Sequence, residues 1–155
     1  MSDRETVLAS ICRRLNEEAA RYLLIGARAL QLWGSTSATL HLAILIEPTP
    51  ANAERVLRAM RNAGFGFAKE WLAADVAARQ VTVLGTVPRV DIMTVACGVQ
   101  YRHAALSAQP FMVEGVTIPT ASLNDLIATM HTGRPEDAAA VRVLEEIRRL
   151  PAGQA

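Results

Sequence analysis

Apolar positions along the chain switch between a helical period and strand-like runs, and the switch points outline the fold. Val7, Leu8, Ile11 and Leu15 recur at helical spacing, with Arg13, Arg14, Glu17 and Glu18 on the opposite side. Tyr22 to Ile25 is a short apolar run closed by Gly26, which predicts a buried strand, and Ala27 to Trp33 predicts a helix stopped by Gly34. From Leu40 to Glu47 the period is two: Leu42, Ile44 and Ile46 share one face, and His41, Ala43 and Leu45 the other. Thr49 is placed to cap the next helix, Pro50 takes its first turn, Val56, Leu57 and Met60 form its apolar stripe, and Gly64 ends it. Residues 65–79 fit neither period. Val81–Leu84 and Val90–Val95 predict two strands around a turn at Gly85–Pro88. Tyr101–Ser107 predicts a short helix, and Phe111–Val113 with Val116–Ile118 a hairpin turned at Glu114-Gly115. Ser122 and Asp125 form a capping-box pattern that opens a helix over Leu123–His131. After Gly133, the run Pro135-Glu136-Asp137 opens a last helix, with Arg148 and Arg149 at its other end. The order is helix, strand, helix, strand, helix, several strands, helical tail, which predicts an α+β domain with helices around a small mixed sheet.

Composition narrows the class. The 155 residues suit one domain over 1–155, with an N-terminal helix within 1–20 and a helical tail over 122–150. Hydrophobic residues make up 51% and charged residues 20%, as in folded soluble chains. Lys+Arg 16 against Asp+Glu 15 leaves a formal charge of +1, so there is no cationic excess of the kind that duplex binding needs. The longest apolar run, Leu40–Ile46, falls far short of the ~20 residues of a membrane helix. Met1 to Thr6 is polar and acidic, unlike a secretory leader. Cys12 and Cys97 make no disulfide framework, and both sit in apolar stretches that predict buried thiols. These features point to a prokaryote-like cytoplasm, with no membrane and no strong nucleic-acid signal.

The candidate chemistry lies in the first half. The segments Leu24-Ile25-Gly26-Ala27, Gly34-Ser35, His41-Leu42-Ala43-Ile44 and Val90-Asp91-Ile92 follow one another in that order. The tail reads Asp125-Leu-Ile-Ala-Thr-Met130-His-Thr-Gly133-Arg134-Pro-Glu-Asp137. Together, over roughly residues 20–148, they resemble the nucleotidyltransferase superfamily, whose fold is shared with DNA polymerase beta. Within it they are similar to small bacterial nucleotidyltransferase-like proteins of abortive-infection and toxin–antitoxin systems. The resemblance implies a nucleotidyltransferase-like core. It also implies a nucleotide cleft at Gly26, Ala27, Gly34, Ser35 and Ser37, where backbone amides and small side chains approach phosphates. In the family, two acidic residues one apart on the second strand and a third from a neighbouring strand hold magnesium. Residues i and i+2 of a strand point the same way, small hard cations take carboxylate oxygens, and two metals ~3.5–4 Å apart share such ligands. Here the matching pair is His41 and Ala43, and only the third position, Asp91, is acidic. An arginine common before the second strand is Ser37, and a lysine common in the tail is Met130.

One carboxylate does not assemble a two-magnesium centre. The resemblance therefore implies a degenerate nucleotidyltransferase, a non-catalytic binding or regulatory protein, with Asp91 a remnant of the catalytic set and no cofactor. The alternative is an active enzyme that transfers AMP or another nucleoside monophosphate to a protein, RNA or small molecule, with Mg, Asp91 and a substitute ligand such as Glu47. Asp91 has a plainer reading as the ion-pair partner of Arg89 or Arg102. His41, His103 and Asp91 would be donors for zinc if residues 101–107 folded over the sheet. Gly64-Phe-Gly-Phe-Ala lacks the lysine and hydroxyl of a phosphate loop and predicts a turn with Phe65 and Phe67 in the core. Trp33 and Trp71 read as core or cleft-rim residues, Ser35 to Ser37 as a polar loop, and Cys97 lacks a histidine neighbour in sequence for a nucleophile's role.

Overall fold

The computed structural model describes residues 5–35 and 41–150. Thr6 caps the first helix, α1 (Val7–Glu17), by accepting from the Ala9 N–H, and α1 buries Leu8, Ile11, Cys12 and Leu15. The apolar run at Tyr22–Ile25 is strand β1, buried at all four positions. Helix α2 (Gly26–Trp33) starts directly at its end and stops at Gly34. Strand β2 is Leu42–Ile46, without the His41 and Glu47 that the alternation includes; Leu40 lies outside the described residues. Thr49 caps α3 (Pro50–Asn62) through the Asn52 N–H. The stretch that fits neither period holds a 3-10 turn (Gly66–Glu70) and the short α4 (Ala73–Ala78).

Strands β3 (Val81–Leu84) and β4 (Val90–Met93) follow, then β5 (Val95–Ala96) and β6 (Val99–Gln100). The strand expected over 90–95 therefore breaks at Thr94, where the Thr94 N–H and Oγ1 turn back to the Gln80 and Arg79 carbonyls. Helix α5 (Tyr101–Ala104) with a 3-10 turn fills 101–107, and the hairpin is β7 (Gln109–Val113) and β8 (Val116–Thr120). Ser122 caps α6 (Leu123–Thr129), which ends short of His131, and α7 (Pro135–Arg148) closes the described chain.

Six strands make one mixed sheet in the order β3-β4-β2-β1-β8-β7; β5 and β6 pair separately. β1 is antiparallel to β2 and parallel to β8, and β2 is parallel to β4. The Tyr22–Leu24 face is backed by α1, where the Tyr22 hydroxyl donates to Asn16 Oδ1 at 2.9 Å, and α1 in turn packs on α3. α2 lies against β1 and β2. The result is an α+β molecule, a mixed sheet flanked by helices. No helix among the described residues is long and apolar enough to cross a membrane.

Two expected core residues turn outward. Phe67 is 66% exposed, whereas Phe65 packs on the core and against Gly85. Cys97 is exposed as well. It sits with Gly98 in the two-residue turn between β5 and β6, both at positive φ, a geometry that points side chains to solvent whatever their hydropathy. Trp33 is half-buried; its Nε1–H donates to the Ala121 carbonyl at 3.0 Å and its ring meets Phe111 edge-on at 5.1 Å. Trp71, also half-buried, carries the Arg79 guanidinium over its ring.

Candidate functional site

Sheet register builds the site. Ile25 is opposite Ala43, Ala43 opposite Asp91, and Asp91 opposite Val83, so these four side chains form one row on one face. Gly26 stands at the end of this row. It has φ +74, and a Cβ placed on it would lie 3.3 Å from the Ala43 Cβ, so both backbone and space call for glycine. Ala27 follows in the first turn of α2. The three sequence-distant positions Gly26, Ala43 and Asp91 thus come together at the C-terminal end of β1.

The face is open towards β3. Thr82 and Leu84 on its other side are each 1% exposed, whereas Val81 and Val83 on the Asp91 side are 37% and 43% exposed. Ala43, Asp91 and Met93 are half-buried.

Asp91 is not a bare carboxylate. Arg89 Nε donates to its Oδ1 at 2.7 Å and Nη2 to its Oδ2 at 3.3 Å. The hydrogen bond and the charge of Asp91 hold the Arg89 guanidinium above its ordinary pKa. Of the two arginines the sequence offers, Arg89 is the partner; it immediately precedes β4, two residues from Asp91. Its carbonyl accepts from the Leu42 N–H at 2.9 Å, which ties it to the start of β2.

The remaining candidates lie elsewhere. Gly34 and Ser35 are at the far end of α2, about 12 Å along an eight-residue helix from Gly26. There Gly34 faces Ile147 of α7, and the Ser35 N–H donates to the Leu30 carbonyl. Ser37 lies outside the described residues. His41 is exposed, just before β2. Glu47 follows the opposite end of β2, about 13 Å along the strand from Ala43, and pairs with Arg21 at 3.3 Å. His103 is exposed on α5. Tyr101, which opens α5, has its phenol pushed up by burial and feels Arg21 and Glu47, so α5 sits at that other end of the strands. Among the described residues no three His, Cys, Asp or Glu side chains converge as metal ligands. Met130 is a buried C-cap of α6.

Among the described residues the row holds one carboxylate, fewer than the shared acidic ligands of a two-magnesium centre. Ala43 offers no donor, and both oxygens of Asp91 are engaged by a guanidinium. Sequence reasoning passed over one polar group at the start of α2. Arg28, two residues after Gly26, buries its Nε without a hydrogen-bond partner. A guanidinium in a short helix whose one other polar side chain is Gln31 was the available signal.

No protein-family model matches the chain, and no curated protein does. Solved structures do. The lincosamide antibiotic adenylyltransferase LnuA, in its lincomycin-bound crystal structure, is similar over 95% of this chain and 98% of its own, with TM-score 0.60 and 12% identity. A protein of Thermotoga maritima assigned as a nucleotidyltransferase, TM1012, is similar over 90% of this chain and 91% of its own, with TM-score 0.54 and 19% identity. The fold is that of nucleotidyltransferases.

Proposed function

We propose that this chain is a nucleotidyltransferase-fold protein without transfer chemistry, one that works by binding a protein partner or a nucleotide. The observation that carries the reading is the row beside Gly26. Where the fold's chemistry calls for converging carboxylates, the side chains are the methyl of Ala43 and a carboxylate already paired with Arg89. Phosphoryl and nucleotidyl transfer depend on cations that offset charge at the phosphates. A row with one engaged carboxylate supplies no seat for them. A place in an abortive-infection or toxin–antitoxin pair would suit such a binding protein, and rests on the sequence resemblance alone.

The active alternative has one observation in its favour: Asp91 persists on the row in register with position 43. Incubation with labelled nucleoside triphosphates and Mg2+ or Mn2+, with protein, RNA and lincosamide acceptors in separate reactions, decides between the two. The expected result is no label transfer that disappears on Asp91→Ala. Asp91-dependent labelling of any acceptor would establish the enzyme and end the binding-protein reading. Calorimetric titration with ATP, GTP and CTP then tells a nucleotide ligand from a protein one.

A further inference from the structure

We infer that Arg89 is the resident cation of this row, and that its guanidinium masks Asp91 from divalent metal ions. The inference rests on the reading of the site as non-catalytic and adds what occupies its one remaining carboxylate. Arg89 is the residue just before β4 and Asp91 the second residue of that strand, so the pair is local in sequence and its side chains meet at 2.7 Å. The contact is a fork, with Nε and Nη2 each on a separate carboxylate oxygen. The Leu42 N–H holds the Arg89 carbonyl, so the guanidinium springs from a fixed point at the mouth of the row. Across the row Ala43 has no acceptor to compete for it. A divalent ion approaching Asp91 therefore has to displace a bidentate partner and meets a positive charge within contact distance of its only anionic ligand.

The pair is partly exposed, with side-chain exposures of 44% for Arg89 and 24% for Asp91, so the mask is modest in strength. Loss of the pair and of the repulsion together should tighten cation binding roughly tenfold at low salt. Placing a second carboxylate at position 43 should tighten it by about another factor of ten, because two oxygen donors would then share one ion.

Mn2+ is the probe, titrated at low ionic strength and followed by loss of the free-ion electron paramagnetic resonance signal. Wild type, Arg89→Ala, Arg89→Lys, the double variant Arg89→Ala/Asp91→Ala, and the double variant Ala43→Asp/Arg89→Ala are compared, with thermal melts as a folding check. Arg89→Ala is expected to bind Mn2+ roughly tenfold more tightly than wild type, and Arg89→Lys to stay near wild type. Removing Asp91 as well should abolish the gain, and Ala43→Asp should add to it. If Arg89→Ala melts far below wild type, Arg89→Gln keeps the side-chain stem and carries the same comparison. Equal Mn2+ affinity with and without the guanidinium, or a gain that survives loss of Asp91, overturns the mask. Neither outcome touches the label-transfer assay, which alone judges the absence of catalysis.

Discussion

Asn52 shows how much of the site hangs on single side chains away from it. It is 1% exposed, and its amide accepts from the Arg21 N–H at 2.7 Å while donating to the Arg21 carbonyl at 3.0 Å and the Glu47 carbonyl at 2.9 Å. One side chain thereby ties the residue before β1 to the residue after β2. That clamp supports the register that sets Ile25 opposite Ala43 and brings Gly26 beside it. Asn52→Ala would leave the Arg21 N–H without its partner, while the Arg21 and Glu47 carbonyls keep the Glu47 and Thr49 N–H groups, so the cost should be about 1–2 kcal/mol. Urea unfolding should show the loss as a lower midpoint with an unchanged slope; a midpoint within error of wild type would mean that water replaces the clamp. Sequence gave no hint of this role. Asn52 falls in the first turn of a helix, where a polar side chain reads as solvent-facing, and only the strand ends packed over it make it interior. Asp91 is the opposite case. Its partner had to be Arg89 or Arg102, and it pairs with the arginine two residues away, just before β4.

Among the elements, the turn between β3 and β4 has the least freedom. Gly85 has φ +72, and a Cβ there would lie 2.7 Å from the Pro88 carbonyl oxygen and 2.8 Å from the Phe65 ring. Gly85→Ala should therefore cost at least about 2 kcal/mol, from the left-handed backbone and the clash together. For a chain of this size that lowers the melting temperature by roughly 5 °C or more in calorimetry, and a melt unchanged within a degree would show that the turn yields freely. The same turn delivers Arg89 to the start of β4, so its integrity bears on the Asp91 pair. Element types were legible because each rests on local signals: the alternation at Leu42, Ile44 and Ile46, the Thr49-Pro50 start, and the Ser122 cap. The break after Met93 was not legible. Residues 90–95 are apolar enough to continue, and the chain bends because Thr94 is held by Arg79 and Gln80 from a distant turn.

For the molecule as a whole, the two cysteines report on how the fold divides inside from outside. Cys12 is fully buried and Cys97 exposed. A thiol reagent should react quickly with one group in the native protein and with two after denaturation. Two fast thiols in the native state would place α1 off the sheet. Burial, against smaller opposing effects of Tyr22 and Arg28, pushes the Cys12 thiol from its ordinary 9.0 up to about 11. Burial likewise raises the Tyr22 phenol. Between pH 9 and 11 the unfolded chain gives up the Cys12 proton while the folded chain keeps it. The unfolded state then binds fewer protons, so stability falls as pH rises through that window. Cys12 alone accounts for about 2–3 kcal/mol across it, and Tyr22 acts in the same direction. Urea midpoints should hold steady from pH 7 to 8.5 and decline above 9; Cys12→Ala should flatten part of that decline.

What the amino-acid sequence determined by itself is local and compositional. Side-chain periodicity chose helix or strand, caps and prolines marked the starts, and alanine at position 43 means no donor there in any fold. What only the tertiary structure decided is which distant segments become neighbours. It placed β1 between β2 and β8, packed Gly26 against Ala43, carried Gly34 and Ser35 a helix length away, and turned Cys97 and Phe67 to solvent. The physical reason is one of range. Periodicity acts within a turn or two of chain, whereas strand pairing and burial settle only when segments far apart in sequence compete for the same surface.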